Sequence, residues 1–567
     1  MGTDNPASSQ RSDKTREVAL LVVAVIAALF LFYNLDVYAL WDDEANTGLI
    51  GQGVWASGDT LAQVGENLVA WGDALNLTGT YDRSQPPVQF YICAPAVGLL
   101  GPTALAARLP FALLGLGTVI ALLLWARKAA SSFEYTAWCM ALLGSVAFFL
   151  YCRQARYYAP ALAFTLGACW AYWSLLQGRG GGRGRGRGRE WILGFMLAGA
   201  LVCNYLSGAA ILASLGGDYL LWGRKQKRLS IRELLGIALP LIVIGIPVLY
   251  IWYPLGRYAS DALGRSQQGA WLRKLKYCWW FFRDASASQL VSGVLLLACP
   301  WLYKFQRSTW YLRIPCAIAL YLMANGLFAP QGNWNFAAIR YAVPVLLGGL
   351  ALIVLVSQAV YTRNRIAGVV VLLLASVSNL FYLDWATGWP IGPIPKPMPA
   401  LFIRELLHPQ EEPYTPTAEW ILKNVPPGSL VAVSPNSARY PLMFHAPGAV
   451  YGWQLRPDTA EQRFPGVDPR QVRGASVPDY LVCFGTGSAL LTTDLSQHLP
   501  PGLAYTMATV IDRYAIEEYR PEIYMHRFGK GPPYASQYQI RILRRAPELD
   551  APPGTPRPPG VWRTGEK

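Results

Sequence analysis

The sequence predicts an α-helical polytopic membrane protein with a small α/β domain at its C-terminal end. Of its 567 residues, 53% are hydrophobic and 15% are charged, whereas soluble domains carry about a quarter charged residues. Long apolar runs recur through the first two thirds of the chain. After about residue 385 the composition shifts to Pro-rich and polar sequence, which sets the last third apart as a separate domain.

Apolar runs of membrane-spanning length define the helical part. We predict about eleven transmembrane helices, several of them close to the minimum of about 17 residues. The predicted spans are 18–40, 104–126, 135–151, 157–177, 191–206, 208–223, 233–253, 287–303, 312–328, 338–360 and 366–383.

Basic residues fix the predicted orientation, because Lys and Arg concentrate in cytoplasmic loops. They occupy every second connection, which places the N-terminal residues 1–17 in the cytoplasm and the C-terminal domain outside it. The net charge of +15 therefore reflects topology, and we expect no nucleic-acid partner, even for the Arg-Gly tract at 179–189. The basic connections contain Arg127 and Lys128, Arg179 to Arg189, Arg224 to Arg228, Lys304 to Arg313, and Arg363 with Arg365.

One predicted external connection, 254–284, departs from this charge pattern because it is rich in both basic and aromatic residues. One interpretation is an interfacial amphipathic helix anchored by its aromatic side chains. The other is a basic lid over an anionic lipid phosphate. The two are compatible.

Three carboxylates, Asp42, Asp43 and Glu44, follow the first apolar run. Carboxylates next to lipid are costly and indicate a functional site. The alternative is that they cap a helix of the external loop, since acidic residues favour helix N-termini.

Short motifs on the predicted external side occur in a definite order. They are Asp42-Asp43-Glu44-Ala45-Asn46, Gln85-Pro86-Pro87-Val88-Gln89-Phe90-Tyr91, Ala106-Ala107-Arg108-Leu109-Pro110, Arg153-Gln154-Ala155-Arg156-Tyr157-Tyr158-Ala159 and Ile339-Arg340-Tyr341-Ala342-Val343-Pro344. The first four resemble the "Asp-Glu-Ala", "Pro-Pro-Leu-Tyr-Tyr", "Ala-Arg-Leu-Pro" and "Ala-Arg-x-Tyr" signatures of the GT-C glycosyltransferase superfamily, and the last resembles the "Arg-Tyr" opening of a late helix in the same group. Within it, the chain resembles protein O-mannosyltransferases, lipid A aminoarabinose transferases and Rgt-type sugar transferases over about residues 1–385.

This resemblance implies a GT-C fold and an EC 2.4 activity. The expected reaction moves a monosaccharide from a polyprenyl-phosphate donor to an extracytoplasmic acceptor, which is a lipid, a glycan or a protein, with inversion at the anomeric carbon. The expected partners are the polyprenyl-phosphate-linked sugar, membrane lipid and that acceptor. The expected location is a bacterial inner membrane, with the C-terminal domain periplasmic.

The resemblance also assigns roles to residues. Asp43 is the expected base, with Glu44 second, because the attacking acceptor must lose a proton to a carboxylate. Arginine pairs bidentately with phosphate and stabilises the charge of the leaving group; the alternative is that these arginines snorkel to the interface. Arg108 is expected to be structural. The candidate phosphate ligands are Arg153, Arg156, Arg340 and, more weakly, Arg257, and the candidate substrate-lining residues are Asp42, Gln85, Tyr157, Tyr158 and Tyr341.

The sequence also departs from the resembled families. Gln85 stands where the aminoarabinose transferases have a phosphate-binding Lys, and Tyr158 lies where they carry a carboxylate. The donor or acceptor is therefore expected to differ, no cofactor is assigned, and a divalent metal is left open. Trp279-Trp280-Phe281-Phe282 does not match the Trp-Trp-Asp-Tyr-Gly motif of oligosaccharyltransferases, which disfavours transfer of a whole oligosaccharide.

The C-terminal third is predicted to hold a helix over 417–424 and strands over 429–434, 479–484 and 538–543, which indicates an α/β domain. The predicted organisation is a cytoplasmic segment 1–17, a GT-C domain 18–385 with external loop 41–103, a Pro-rich linker 386–409, an extracytoplasmic domain 410–545 and a disordered tail 546–567.

Two other function classes remain open. A transporter or flippase of lipid-linked sugars would share the composition, but it should show related halves and carboxylates near mid-membrane, and the predicted spans are almost free of acids. In a non-catalytic membrane assembly protein, the three acids Asp42, Asp43 and Glu44 could be substituted without loss of function.

Overall fold

A computed structural model gives the fold in two compact units. We call them the helical unit, which comprises Met1–Asn34, Phe111–His408 and Pro521–His526, and the mixed unit, which comprises Leu35–Pro110, Pro409–Arg520 and Arg527–Lys567. The structure describes residues 6–178, 188–252, 270–328, 336–382, 396–485, 498–513, 539–552, 555–556 and 559–564.

Apolar α-helices make up the described part of the helical unit. Two of the described helices continue through a short stretch of π-helix, and one described segment is a 3₁₀-helix. Up to residue 251 the helices outside residues 35–103 are Pro6–Phe32, Ala104–Ala129, Ser132–Gly144, Val146–Cys152, Tyr158–Leu176, Arg189–Cys203, Tyr205–Asp218, the π-helix Tyr219–Gly223, Arg224–Gln226, Ile231–Pro240, the π-helix Leu241–Gly245 and Ile246–Ile251. The later ones are Ala270–Ala287, Gly293–Gln306, Trp310–Phe328, the 3₁₀-helix Phe336–Val345, Leu346–Tyr361, Arg365–Val377 and Met398–Leu407.

Within the described ranges, six helices are long and apolar enough to cross a membrane, and a bent helix pair would make seven. Eleven spans were predicted. Several predicted spans fold instead as helices of 13 to 15 residues, such as Arg189–Cys203 and Arg365–Val377. The predicted first span, 18–40, is too long, because its helix ends at Phe32 and Asn34 adopts a left-handed φ of 49°. The six are Lys14–Phe32, Ala104–Lys128, Tyr158–Leu176, Ile231–Ile251, Trp310–Phe328 and Ile339–Tyr361.

Two helices of the helical unit form a bent pair just before the predicted site residues Arg153, Arg156 and Tyr157. The helices Ser132–Gly144 and Val146–Cys152 meet at 57°. Gly144 lies against the main chain of Ser376, where a side chain would not fit. The second helix then leads directly into the residues 153–157.

The aromatic and basic segment predicted at 254–284 forms a helix, Ala270–Ala287, where the structure describes it. Leu272, Leu275 and Trp279 are exposed on this helix, as the interfacial interpretation expects. Residues 253–269, and Arg257 with them, lie outside the described residues.

The mixed unit contains a six-stranded sheet. The strands Leu430–Ser434, Val450–Tyr451 and Tyr480–Phe484 pair in parallel, and the remaining pairs are antiparallel. In spatial order the strands are Val561–Arg563, Ala504–Ile511, Ile540–Arg545, Tyr480–Phe484, Leu430–Ser434 and Val450–Tyr451. In the described ranges of this unit, the α-helices after residue 408 are Tyr414–Asn424, Arg439–His445 and Pro457–Arg463.

Alternating apolar positions build the core of this sheet, which includes Leu430, Ala432, Leu481, Cys483 and Leu543. The three predicted strands and the predicted helix of the α/β domain all form, each within a few residues of its predicted bounds. That agreement follows from the short apolar runs, which are typical of buried strands.

Two predicted boundaries were wrong. The tail 546–567 was predicted to be disordered, yet Val561–Arg563 forms the edge strand of the sheet, and Arg563 donates to the main-chain carbonyls of Leu549 and Thr555. The second half of the predicted linker 386–409 is the helix Met398–Leu407. In both places the prediction followed the Pro-rich composition. The short apolar stretch within it folds because tertiary contacts stabilise it.

The predicted external loop folds with the C-terminal part of the chain in one unit. It contributes the helices Asp42–Ser57 and Val88–Leu100 and two small hairpins, 63–68 and 77–82. Asn67 accepts a hydrogen bond from the Tyr451 N–H (2.7 Å) and donates to the Ala449 carbonyl (3.0 Å). Such reciprocal amide contacts continue the hydrogen bonding of a strand edge.

Candidate functional site

The three predicted acids open a helix in the mixed unit. Asp42–Ser57 begins at Asp42, and the Trp41 carbonyl accepts the first helical hydrogen bond, from the Ala45 N–H at 2.8 Å. Asp42 and Asp43 are half-buried, whereas Glu44 is fully buried. The positive end of the helix dipole favours negative charge in this first turn.

Glu44 is held by Arg108. The Arg108 Nε and Nη2 atoms donate to the two Glu44 carboxylate oxygens at 2.8 and 2.5 Å, and both side chains are buried. Arg108 also donates to the main-chain carbonyls of Leu35, Tyr38 and Ala39. This guanidinium binds both the acid helix and the chain before it. Such contacts are those expected of a structural Arg108, and the catalytic role of Glu44 stays a prediction.

His445, in the C-terminal part of the unit, contacts the chain just before the acid helix. Its Nε2 accepts a hydrogen bond from the Leu40 N–H at 2.9 Å. The preceding residue, Phe444, packs so closely on Gly48 that a Cβ there would lie 2.6 Å from the ring. Burial, and secondarily the charge of Arg108, lower the pKa of His445 from 6.5 to about 4. The neutral imidazole therefore acts as a main-chain acceptor just before the acid helix.

Acidification is expected to destabilise the mixed unit through His445. The unfolded state binds a proton near pH 6.5 and the folded state only near pH 4, so stability is lost as the pH falls through this window. At pH 5 the expected loss is about 2 kcal/mol. Thermal unfolding of the purified protein at pH 7.5 and pH 5, compared with His445→Gln, measures it. Equal falls in Tm for both proteins would contradict the assignment.

Amide side chains lie next to the acid helix. The Gln89 Nε2 donates to the Gln85 Oε1 at 2.9 Å, and the Gln85 Nε2 lies 3.4 Å from the Asn46 Oδ1. Asn46 is one helical turn after Asp43. Gln85, a predicted substrate-lining residue, is thus tied to the helix that carries Asp43.

Asp42 has a different environment from Asp43. It lies within electrostatic range of the buried phenol of Tyr440. Burial raises the pKa of Tyr440 well above its usual value, and the neighbouring carboxylates of Asp42 and Asp82 contribute to the rise. Sequence reasoning missed Tyr440 and His445, and no local signal could have found them, because both lie in the C-terminal third of the chain, far from the acids they approach.

In the helical unit, Arg153 caps the first helix. It follows the bent helix pair and donates to the carbonyl groups that the helix leaves without intrahelical partners. The Nη1 atom bonds the carbonyls of Phe30, Leu31 and Tyr33 at 2.9, 3.2 and 2.9 Å, and Nη2 bonds that of Asn34 at 2.8 Å. These contacts hold Arg153 against the end of the first helix, and its role as a phosphate ligand stays a prediction.

Two other predicted arginines each lie over a neighbouring tyrosine, and one of these tyrosines bonds to the main chain of the other arginine. The Arg156 guanidinium lies over the Tyr157 ring at 5.5 Å, and the Arg340 guanidinium lies over the Tyr341 ring at 5.5 Å. The Tyr157 hydroxyl reaches the Arg340 carbonyl at 3.4 Å, although the two residues are 183 positions apart. Tyr158 packs edge-on against Tyr157, with ring centroids 4.7 Å apart.

The structure therefore brings the predicted site residues together in two groups, one in each unit. The mixed unit holds Asp42, Asp43, Glu44 and Gln85, and the helical unit holds Arg156, Tyr157, Tyr158, Arg340 and Tyr341. Among the described residues, no three His, Cys, Asp or Glu side chains are grouped so that they could hold a metal ion.

Comparison with known proteins supports the fold. ArnT from Cupriavidus metallidurans, solved bound to undecaprenyl phosphate, has a TM-score of 0.51 at 14% identity, over 94% of this chain and 99% of its own. The apo structure of the same protein has a TM-score of 0.51 at 15% identity, over 94% of this chain and 98% of its own. The oligosaccharyltransferase AglB from Archaeoglobus fulgidus, at 10% identity over 90% and 77%, has a TM-score of only 0.45, so the fold assignment rests on ArnT.

Sequence comparison adds one match. Residues 84–252 match the family model described as dolichyl-phosphate-mannose-protein mannosyltransferase. No curated protein matches the chain significantly. The chain is thus a polytopic membrane protein with the GT-C fold, and its residues 84–252 are similar to the dolichyl-phosphate-mannose-protein mannosyltransferases.

Proposed function

We propose that this protein is an integral membrane glycosyltransferase that moves a monosaccharide from a polyprenyl-phosphate donor to an extracytoplasmic acceptor. The observation that carries the proposal is the hydrogen bond from the Tyr157 hydroxyl to the Arg340 carbonyl, next to an Arg156 guanidinium that lies over the Tyr157 ring. Both guanidinium groups, which favour phosphate, lie within electrostatic range of the Tyr157 side chain although they come from distant parts of the sequence. ArnT, which shares the fold, binds undecaprenyl phosphate, a ligand of the same chemistry.

The donor phosphate needs fixed positive charge. As the bond from the anomeric carbon to the phosphate oxygen breaks, its electron pair passes to that oxygen, and the phosphate gains a negative charge. Donors held in place before the reaction stabilise this charge without reorganisation. We assign this role to Arg156 and Arg340, whose guanidinium groups lie over aromatic rings that restrict their motion.

The acceptor needs a base. The attacking hydroxyl or amine forms the new bond to the anomeric carbon from the face opposite the phosphate, which inverts the configuration, and its proton passes to a carboxylate. We propose Asp43 as that base. Asp43 occupies the motif position to which the family resemblance assigns the base, and it is half-buried in the first turn of its helix, whereas Glu44 is fully buried against Arg108.

The proposal includes a location and an orientation. The basic loops that alternate along the sequence indicate a cytoplasmic N-terminus, and therefore acceptors on the opposite side. We propose a bacterial inner membrane with a periplasmic C-terminal domain.

The direct test is sugar transfer by membranes that contain the wild type, Arg156→Ala or Arg363→Ala at matched protein levels, with a pool of radiolabelled polyprenyl-phosphate sugars. Arg156→Ala is expected to lower transfer by about 10²–10³-fold, since it removes a donor to the developing charge. Arg363 is an exposed arginine that stacks on Phe305 and serves as the control. Absence of transfer by folded wild type from every donor would reject the proposal.

A further inference from the structure

The Tyr341 carbonyl, one residue after Arg340, receives no hydrogen bond from the residue three positions later in its own helix. Arg340 and Tyr341 lie in the 3₁₀-helix Phe336–Val345, in which each carbonyl accepts from the N–H three residues later. For Tyr341 that residue is Pro344, which has no N–H. The Tyr341 carbonyl therefore depends on donors from elsewhere.

Two hydroxyl groups supply them. The Ser207 Oγ donates to the Tyr341 carbonyl oxygen at 2.7 Å, and the Tyr321 hydroxyl donates to the same oxygen at 3.2 Å. A carbonyl oxygen has two lone pairs, so both are used. Ser207 and Tyr321 belong to different helices, Tyr205–Asp218 and Trp310–Phe328, and one oxygen thereby joins three segments of the helical unit.

Both donors are themselves held in place. Ser207 is fully buried, and its N–H donates to the Oδ1 of Asn204, the N-cap of its helix, at 2.9 Å. Tyr321 is 4% exposed, and its own carbonyl accepts from the Asn325 Nδ2 at 3.0 Å. Buried hydroxyls with fixed surroundings have one favourable direction for their proton, so the Tyr341 peptide group is fixed in orientation.

We propose that Ser207 and Tyr321 are positioning residues for the phosphate of the lipid carrier. By fixing the peptide group between Tyr341 and Ala342, one residue after Arg340, they hold the backbone that aims the Arg340 guanidinium, whose fork must match the phosphate oxygens within about half an ångström. This inference rests on the proposed function, because it takes Arg340 as a phosphate ligand. Neither hydroxyl touches the carrier; both act through the main chain.

Matched controls separate positioning from mere support of the fold. Ser214 lies two turns after Ser207 on the same helix, and its hydroxyl also donates to the helix Trp310–Phe328, at the Ala317 carbonyl (2.9 Å). Tyr311 lies on the same helix as Tyr321, and its hydroxyl donates to the Leu355 carbonyl at 3.5 Å. Ser214→Ala and Tyr311→Phe therefore remove comparable hydroxyls without touching Tyr341.

The experiment measures binding of undecaprenyl phosphate to the purified full-length protein. Arg340→Ala is expected to weaken binding about tenfold or more, and Ser207→Ala and Tyr321→Phe about fivefold each, whereas the control variants bind as wild type. In the Arg340→Ala background, Ser207→Ala should cause no further loss, because the group it positions is gone. Transfer assays should show the loss in the KM for the donor, with kcat less affected.

The outcomes separate the positioning role from the proposed function. If Arg340→Ala weakens binding but Ser207→Ala and Tyr321→Phe do not, or do so no more than their controls, the positioning role is overturned and the proposed function stands. If Arg340→Ala binds as tightly as wild type, the phosphate role of Arg340 fails, and the positioning role fails with it. A further loss from Ser207→Ala in the Arg340→Ala background would likewise overturn it.

Discussion

Replacing Asp43 with asparagine is expected to lower kcat for sugar transfer by about 10²–10⁴-fold, the usual contribution of a general base. The amide is nearly the same shape as the carboxylate but cannot accept the acceptor's proton. It keeps the helix start intact, because asparagine is also favoured at helix N-termini. Transfer of radiolabelled sugar from a polyprenyl-phosphate donor, at matched protein levels, measures the effect.

The matched control for this experiment is Asp42→Asn. Asp42 is half-buried in the same helical turn and carries the same charge, so a general electrostatic effect would appear equally in both variants. We expect Asp42→Asn to retain most of the activity. If Asp43→Asn transfers sugar as well as wild type, the protein is still a glycosyltransferase, but Asp43 is not its base. If only Asp42→Asn is inactive, the base is Asp42.

Replacing Arg108 with alanine is expected to destabilise the protein by about 3–5 kcal/mol, the cost of removing one partner from a buried ion pair. It would leave the Glu44 carboxylate buried without its bidentate partner. It would also remove the donor to the carbonyls of Leu35, Tyr38 and Ala39. We expect a low yield of folded protein and a lower Tm, as measured by thermal unfolding in detergent.

Removing the pair together should be milder than removing Arg108 alone. In the double variant Glu44→Leu, Arg108→Met, no charge is left buried, and apolar replacement of buried ion pairs is often tolerated. The Tm of this double variant should therefore exceed that of Arg108→Ala. An Arg108→Ala protein that keeps its Tm and loses only transfer would show that Arg108 acts in catalysis instead.

The apolar runs and the strand patterns could be predicted because they are local. A stretch of about 20 apolar residues favours a helix in lipid whatever surrounds it, and a short apolar run bounded by turns favours a buried strand. The strand at Leu430–Ser434 and the helix at Tyr414–Asn424 formed for this reason. Helix ends were predicted less well, because Asn34 ends the first helix through a backbone conformation that hydropathy does not encode.

The sequence alone determined that the chain is a membrane protein, which residue types its short motifs contain, and the GT-C resemblance. Only the tertiary structure decided what each charged side chain does. Arg108, Arg153 and Arg156 are chemically identical, yet Arg108 holds Glu44, Arg153 caps a helix, and Arg156 lies over the Tyr157 ring. An arginine can donate to carboxylate, carbonyl or phosphate oxygens, so its role depends on which partner the folded chain brings near. The partners of Arg108 and Arg153 lie tens of residues or more away along the chain, beyond the reach of any local pattern.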